Sequence, residues 1–184
     1  MELETKFTRF DGAGAAVNGA QIEGYASLFD ATDQGGDVVK RGAFARSLEE
    51  IQSGKRALKM LWQHDPAQPI GIWDEVKVDE RGLYVKGRFL DGVAKGREAR
   101  ELVTAGAIDG LSIGYRTIKA SKARDQNNKS HRLLTDLDLW EVSLVTFPML
   151  SSARVASKAI APEDDTLCDL ARALEEARLH LAGG

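Results

Sequence analysis

The sequence predicts a strand-rich domain of the mainly-β or α+β class, built on an antiparallel sheet or barrel. Three observations carry this. Several segments alternate polar and apolar residues with the period of two that half-buried strands show. Only two segments inside this strand-rich stretch carry helical spacing, and they interrupt the strands without the regular alternation of a parallel sheet. The 184 residues are 43% hydrophobic and 29% charged, enough apolar material for one buried core and no more charge than a globular domain carries.

The elements follow in order. Residues 3–10 (LETKFTRF) and 21–29 (QIEGYASLF) alternate as strands, and the glycine-rich stretches DGAGAAVNG and DQGGD read as turns. Residues 43–53 place Phe44, Leu48 and Ile51 at helical spacing and stop before Gly54, a short helix with a glycine stop. Residues 57–64 (ALKMLWQH), 70–78 and 83–90 read as strands, the last two joined by the turn Asp79-Glu80-Arg81-Gly82. A second helix over 93–105 puts Ala99, Leu102 and Val103 on one face. Leu111 to Ala120 and Leu133 to Phe147 return to β character on either side of the polar loop SKARDQNNKSHR. The count comes to about seven or eight strands with two helices between them.

The C-terminal segment has a different character. Residues 151–165 (SSARVASKAIAPEDD) lack periodicity and read as a linker, exposed in the way that proteolytic sites are. Thr166 and Asp169 resemble a capping box, and Leu167, Leu170, Ala171, Leu174, Ala177 and Leu181 form an amphipathic stripe. The formal charge of −3 divides unevenly: six acids against two bases after Lys158 give that stretch −4, leaving +1 for residues 1–158. The expected organisation is a main domain over 1–150, a linker over 151–165 and an acidic helix over 166–184.

Several function classes find no support. One cysteine, Cys168, rules out an intrachain disulfide framework or a multi-cysteine metal cluster. H-E-x-x-H and the glycine-rich nucleotide motifs are absent, so neither a metal site nor a nucleotide cofactor is expected. The near-neutral charge gives no general reason to expect nucleic acid, and no apolar run is long enough for a signal peptide or a membrane span. The expectation is a soluble protein of a reducing compartment, with no cofactor.

Three residues could carry chemistry. In ALKMLWQH, strand phase puts His64 on one face with Leu58, Met60 and Trp62, either a core-edge imidazole or a catalytic one. Ser112 lies in G-L-S-I-G, which matches the hydrolase nucleophile elbow on its face. The elbow needs a helix after the serine, whereas Ile113 to Ile118 is β-like, so that fold is rejected. Gly114, two residues on, leaves room for a substrate backbone to approach. Glu141 shares phase with Leu137, Leu139 and Val145, which points it inward unless a bulge turns it out. An inward acid needs a partner, and one within reach of an imidazole would hold its tautomer. His131, in the polar loop, competes for that third role but reads more naturally as a surface residue.

Taken together, YASLFDATDQGGDVVKRGAF, LKMLWQHDPAQPIGIW, DGLSIGY and LWEVSLVTFP resemble the tailed-phage prohead maturation proteases of the HK97 type. The likeness runs collinearly over roughly residues 20–156. It implies a fold similar to the herpesvirus assemblins, a closed antiparallel β-barrel of about seven strands ringed by helices. It makes Ser112 the nucleophile, His64 its general base and Glu141 the residue that orients the imidazole, where the herpesvirus relatives have a second histidine. A backbone N–H near Gly114 or the Arg116 guanidinium is the candidate oxyanion donor by proximity. The implied substrate is the scaffolding region of the major capsid protein, cut inside the immature capsid in the bacterial cytoplasm. Self-cleavage in the linker and self-association come with the resemblance. Two other classes stand beside it: a non-catalytic capsid assembly or scaffold protein, and a small-ester hydrolase using the same residues.

Overall fold

In the computed structural model the described residues are 4–8, 17–33, 35–124 and 130–147. The linker over 151–165 and the acidic helix over 166–184 lie outside them. The strands are β1 (Glu4–Thr8), β2 (Val17–Asn18), β3 (Gln21–Leu28), β4 (Asp37–Val39), β5 (Lys59–Trp62), β6 (Asp65–Val78), β7 (Gly82–Phe89), β8 (Gly110–Arg124) and β9 (Ser130–Val145). Two helices interrupt them, α1 (Ala45–Gln52) after β4 and α2 (Ala94–Thr104) after β7.

All nine strands belong to one sheet, in the order β1-β8-β9-β5-β6-β7-β3-β2, with β4 beside β9. The expected closed barrel is therefore corrected to an open one. Closure needs two edge strands long enough to form a ladder at about 4.8 Å spacing. Here the row ends on β1 and on a two-residue β2, which do not pair among the described residues. The sheet curls instead, bringing β3 against β1 and β8 without pairing. Nor do helices ring it: among the described residues α1 packs on β9, and α2 on β6 and β7.

The sheet is also mixed rather than purely antiparallel, since β4 and β5 both run parallel to β9. The connection explains this, because α1 carries the chain back so that β5 starts in the direction β4 had. β4 pairs with 132–134 and β5 with 141–144, on the edge of β9 that β8 leaves free. Between them the ladder has a gap, and α1 fills it. The buried Ser47 hydroxyl donates to Leu137 O at 2.8 Å and accepts from Leu139 N–H at 2.9 Å. Leu137 N–H in turn donates to Ala43 O at 2.9 Å. Left unmade, such buried backbone bonds cost about 1–3 kcal/mol each.

Local signals are obeyed where they are strong. Both helices end in a Schellman arrangement on a glycine of positive φ, Gly54 at 72° and Gly106 at 71°. Lys55 N–H reaches Glu50 O and Ala107 N–H reaches Leu102 O. The β6–β7 turn forms over Asp79–Gly82, where one Asp79 carboxylate oxygen accepts from Arg81 N–H at 2.8 Å and Gly82 N–H at 3.0 Å. The core draws on Ile22, Phe44, Met60, Ile70, Leu83, Val85, Leu111, Ile113 and Leu134.

Candidate active site

The site is built where β5, β8 and β9 lie side by side. β5 ends at Trp62, which pairs with Asp65, so Gln63 and His64 form a two-residue hairpin turn. Both have positive φ, 52° and 61°, as a type I′ turn requires. Neither is a glycine, so each carries steric cost that its surroundings must offset. Four bonds to β9 and the residue after it do so. Gln63 N–H donates to Leu144 O at 2.9 Å, and His64 N–H to Ser143 Oγ at 3.1 Å. The Gln63 amide donates to Thr146 Oγ1 at 2.6 Å and accepts from Thr146 N–H at 3.3 Å.

His64 is thus not the last residue of an apolar stripe, which corrects its assigned strand phase. The strand stops at Trp62 and the left-handed turn swings the imidazole over β9. There Nδ1 lies 2.6 Å from Glu141 Oε1. The other carboxylate oxygen, Oε2, accepts from Ser143 Oγ at 2.6 Å. Glu141 is only 4% exposed, so both oxygens need these partners.

Glu141 reaches this position through a bulge. In the β8–β9 ladder Gly114 faces Glu141 while Tyr115 faces Leu139, leaving Trp140 as the extra residue. The core phase changes there, from Leu137 and Leu139 to Val142 and Leu144. Glu141 therefore does not share a face with Leu137 and Leu139. It lies with Ser143 on the face that Ser112 and Gly114 occupy on β8, because directly opposed residues point the same way. The sequence carries a trace of this slip, since L-D-L-W-E-V-S-L changes apolar phase at the adjacent pair Leu139-Trp140.

Ser112 is buried and directly opposite Ser143 in the ladder, at a Cα spacing of about 5 Å for such pairs. Two serines thus face one another. Ser143 has committed its one proton to the Glu141 carboxylate and accepts the His64 N–H, so it braces the site. Sequence reasoning missed Ser143, although it stands inside the W-E-V-S-L motif.

Gly114 also has a different role from the one expected. A Cβ there would lie 1.9 Å from Glu141 Oε1 and 2.7 Å from its carboxyl carbon. The room above Gly114 is filled by the Glu141 carboxylate, not kept for a substrate backbone. Its N–H is an unsuitable oxyanion donor as well, since β8 is paired with β1 on one side and β9 on the other at this residue. The Arg116 side chain is half-exposed and reaches the buried Asp138 at 3.3 Å. The same Asp138 oxygen accepts from the Trp140 indole at 3.0 Å, and Arg56 holds the other oxygen at 2.9 Å.

His131 sits near the start of β9, ten residues from Glu141 in the strand, so at about 3.3 Å per residue it is remote from His64. Among the described residues no cluster could hold a metal ion. Chemically, a carboxylate on Nδ1 fixes the imidazole with that nitrogen protonated, leaving Nε2 as the base.

A carboxylate-held imidazole beside a serine-bearing strand is the residue set of serine-type hydrolases. Comparison with known proteins narrows that class: the chain belongs to the caudovirus prohead serine protease family, which matches residues 8–165. It is 31% identical over 173 residues to the prohead protease of Enterobacteria phage HK97, covering 92% of this chain and 71% of that one. A second relative, a capsid polyprotein of Pseudomonas phage PAJU2, is 32% identical over 110 residues, 56% of this chain and 16% of the relative. Among solved structures, the bacteriophage T4 capsid assembly protease matches with a TM-score of 0.59, covering 80% of this chain and 98% of that chain. At 18% identity that likeness speaks for the fold alone.

Proposed function

We propose that this chain is a serine endopeptidase in which Ser112, His64 and Glu141 act as a triad, and that it cuts the scaffolding region of the major capsid protein during prohead maturation. The observation that carries the reading is the 2.6 Å contact of His64 Nδ1 with a buried carboxylate, on the strand face that also bears Ser112. Family membership supports the peptidase class, and the names of the HK97 and PAJU2 relatives support a capsid-protein substrate.

His64 Nε2 takes the Ser112 proton as Oγ attacks the scissile carbonyl, and Glu141 stabilises the imidazolium that forms. The proton passes to the leaving amine, which departs and leaves an acyl-enzyme. Water, deprotonated by the same imidazole, then hydrolyses the ester and restores Ser112. The Arg116 guanidinium is the oxyanion donor we assign, since Gly114 N–H lies in the plane of the sheet. The enzyme acts inside the immature capsid, in the host cytoplasm. Among the described residues no helix is long and apolar enough to cross a membrane.

The chain is further proposed to consist of a protease domain over 1–150, a self-cleavable linker over 151–165 and an acidic helix over 166–184. Co-expression of the cognate capsid protein with wild type or Ser112→Ala tests the whole reading by intact mass. Wild type shortens the capsid protein and loses its own tail, and Ser112→Ala does neither. Capsid maturation that persists with Ser112→Ala identifies an assembly protein instead. Turnover of simple esters with an uncut capsid protein identifies a small-ester hydrolase.

A further inference from the structure

The hydroxyl of Ser143 joins two parts of the site that are far apart in sequence. It donates to Glu141 Oε2 at 2.6 Å and accepts the backbone N–H of His64 at 3.1 Å. We propose that Ser143 is the positioning residue of this site, one hydroxyl that aims the Glu141 carboxylate at Nδ1 and at the same time pins the strained turn bearing His64. The proposal deepens the protease reading and rests on it for the identity of the base and the nucleophile.

Three features argue for it. The carboxylate has two oxygens, and Oε1 can face Nδ1 squarely only if Oε2 is held; Ser143 is the partner that holds it. His64 stands at φ 61°, a conformation its own sequence does not favour, so the turn needs an external tie at that residue. Its N–H is tied to the Ser143 hydroxyl, whereas Gln63 is tied separately to Leu144 and Thr146. Finally, the inventory of the hydroxyl fits the two tasks, with one proton for the carboxylate and a lone pair for the N–H. Ser143 is fully buried, so water does not replace either bond on the truncation of its side chain.

The test uses the full-length chain and a fluorophosphonate probe, which phosphonylates an activated serine and needs no knowledge of the cleavage sequence. Ser143→Ala is expected to slow labelling of Ser112 by roughly 10- to 100-fold, the usual scale for a supporting residue behind an active group. In the Glu141→Gln background the same change is expected to cost at least about threefold less than in wild type, because the aiming half of the role has lost its carboxylate and only the tie to the His64 N–H remains. The downfield Nδ1–H proton resonance of His64 is expected to shift or broaden in Ser143→Ala. A merely structural serine would slow labelling equally in both backgrounds and leave the resonance in place, and that result overturns the proposal. So does a Ser143→Ala rate within twofold of wild type.

Should Ser143→Ala fail to fold, Ser143→Cys reads the same quantities. Its thiol is a weaker donor, so an intermediate loss of rate and a shifted resonance are expected, and unchanged values overturn the proposal. The resonance separates the two levels of inference. Wild type that labels no serine but loses its Nδ1–H signal on Ser143→Ala refutes the protease reading and leaves the positioning role standing.

Discussion

Strand β6 begins and ends in a turn, and the two turns are made differently. At its end, Asp79–Gly82 is closed by its own residues, with an aspartate side chain capping the N–H groups of Arg81 and Gly82. To this β3 and the residue after it add the Tyr25 hydroxyl on Asp79 and the Phe29 N–H on Arg81 O. At its start, Gln63 and His64 occupy left-handed conformations with no glycine in the turn. That turn is held from outside, by Ser143, Leu144 and Thr146, some eighty residues along the chain. A turn that only reverses the chain can be specified locally. A turn that must present an imidazole to a carboxylate on another strand is specified by what it packs against.

The difference can be broken at either turn. His64→Ala should reduce fluorophosphonate labelling of Ser112 by roughly 10⁴-fold or more, since members of a triad act as a unit. It should also destabilise the fold by about 1–3 kcal/mol, because Glu141 Oε1 keeps its burial and loses its partner. Labelling and thermal melting measure the two effects.

Gly114→Ala comes next. Its Cβ would overlap Glu141 Oε1, so the carboxylate must move off His64. A rate loss on the order of 100-fold is expected, with about 1–3 kcal/mol of destabilisation by overpacking. An unchanged rate would show that the His64–Glu141 contact is not needed for activation of Ser112.

Asp79→Ala tests the other turn, and here the rate of labelling should stay at the wild-type value. Melting should fall by roughly 2–4 °C, the shift that about 1 kcal/mol makes in a chain of this size. A lowered labelling rate would mean that the two ends of β6 are coupled.

The smallest effect is the pH dependence of the same turn. Burial of Asp79 works against its ionisation, but the Tyr25 hydroxyl, the Gly82 and Arg81 N–H groups and the Arg81 charge outweigh it and hold the carboxyl below its usual range. A depressed carboxyl stabilises the fold above its unfolded value, and that contribution is lost as pH falls through the lower folded one. The neighbouring Tyr84 is pushed up to about 12, first by burial and then by its hydrogen bond to Glu23. A raised phenol contributes fully below its unfolded pKa of about 10, and the contribution is lost as pH rises towards the folded value. Melting curves should therefore decline at both extremes. Asp79→Asn should flatten the acid limb and Tyr84→Phe the alkaline one.

Much of this was readable one segment at a time. The helix over 43–53 with its glycine stop, the second helix near 93–105 and the Asp79–Gly82 turn depend on residues within a few positions of one another, and each appears where the pattern placed it. His64, Ser112 and Glu141 stood out as residues with the needed chemistry, and the structure places them on adjoining elements. For each of them the structural reason differs from the pattern: the space beside Ser112 at Gly114 receives the Glu141 carboxylate, not a substrate backbone. Strand phase puts His64 on a face it leaves, because left-handed turns of non-glycine residues have no strong local signature. Simple alternation phases Glu141 with Leu137 and Leu139, whereas one extra residue at Trp140 reverses every later side chain.

Residue chemistry and short-range periodicity thus determine the two helices, the Asp79–Gly82 turn and which side chains are candidates for chemistry, since these rest on interactions of a few residues' reach. The packing of β5 and β8 on opposite edges of β9 decides the rest. It sets whether the sheet closes, fills the gap in the ladder with Ser47, and brings Glu141, Ser143 and His64 into hydrogen-bonding range. Those outcomes depend on register and twist summed over nine strands, and no single segment contains that information.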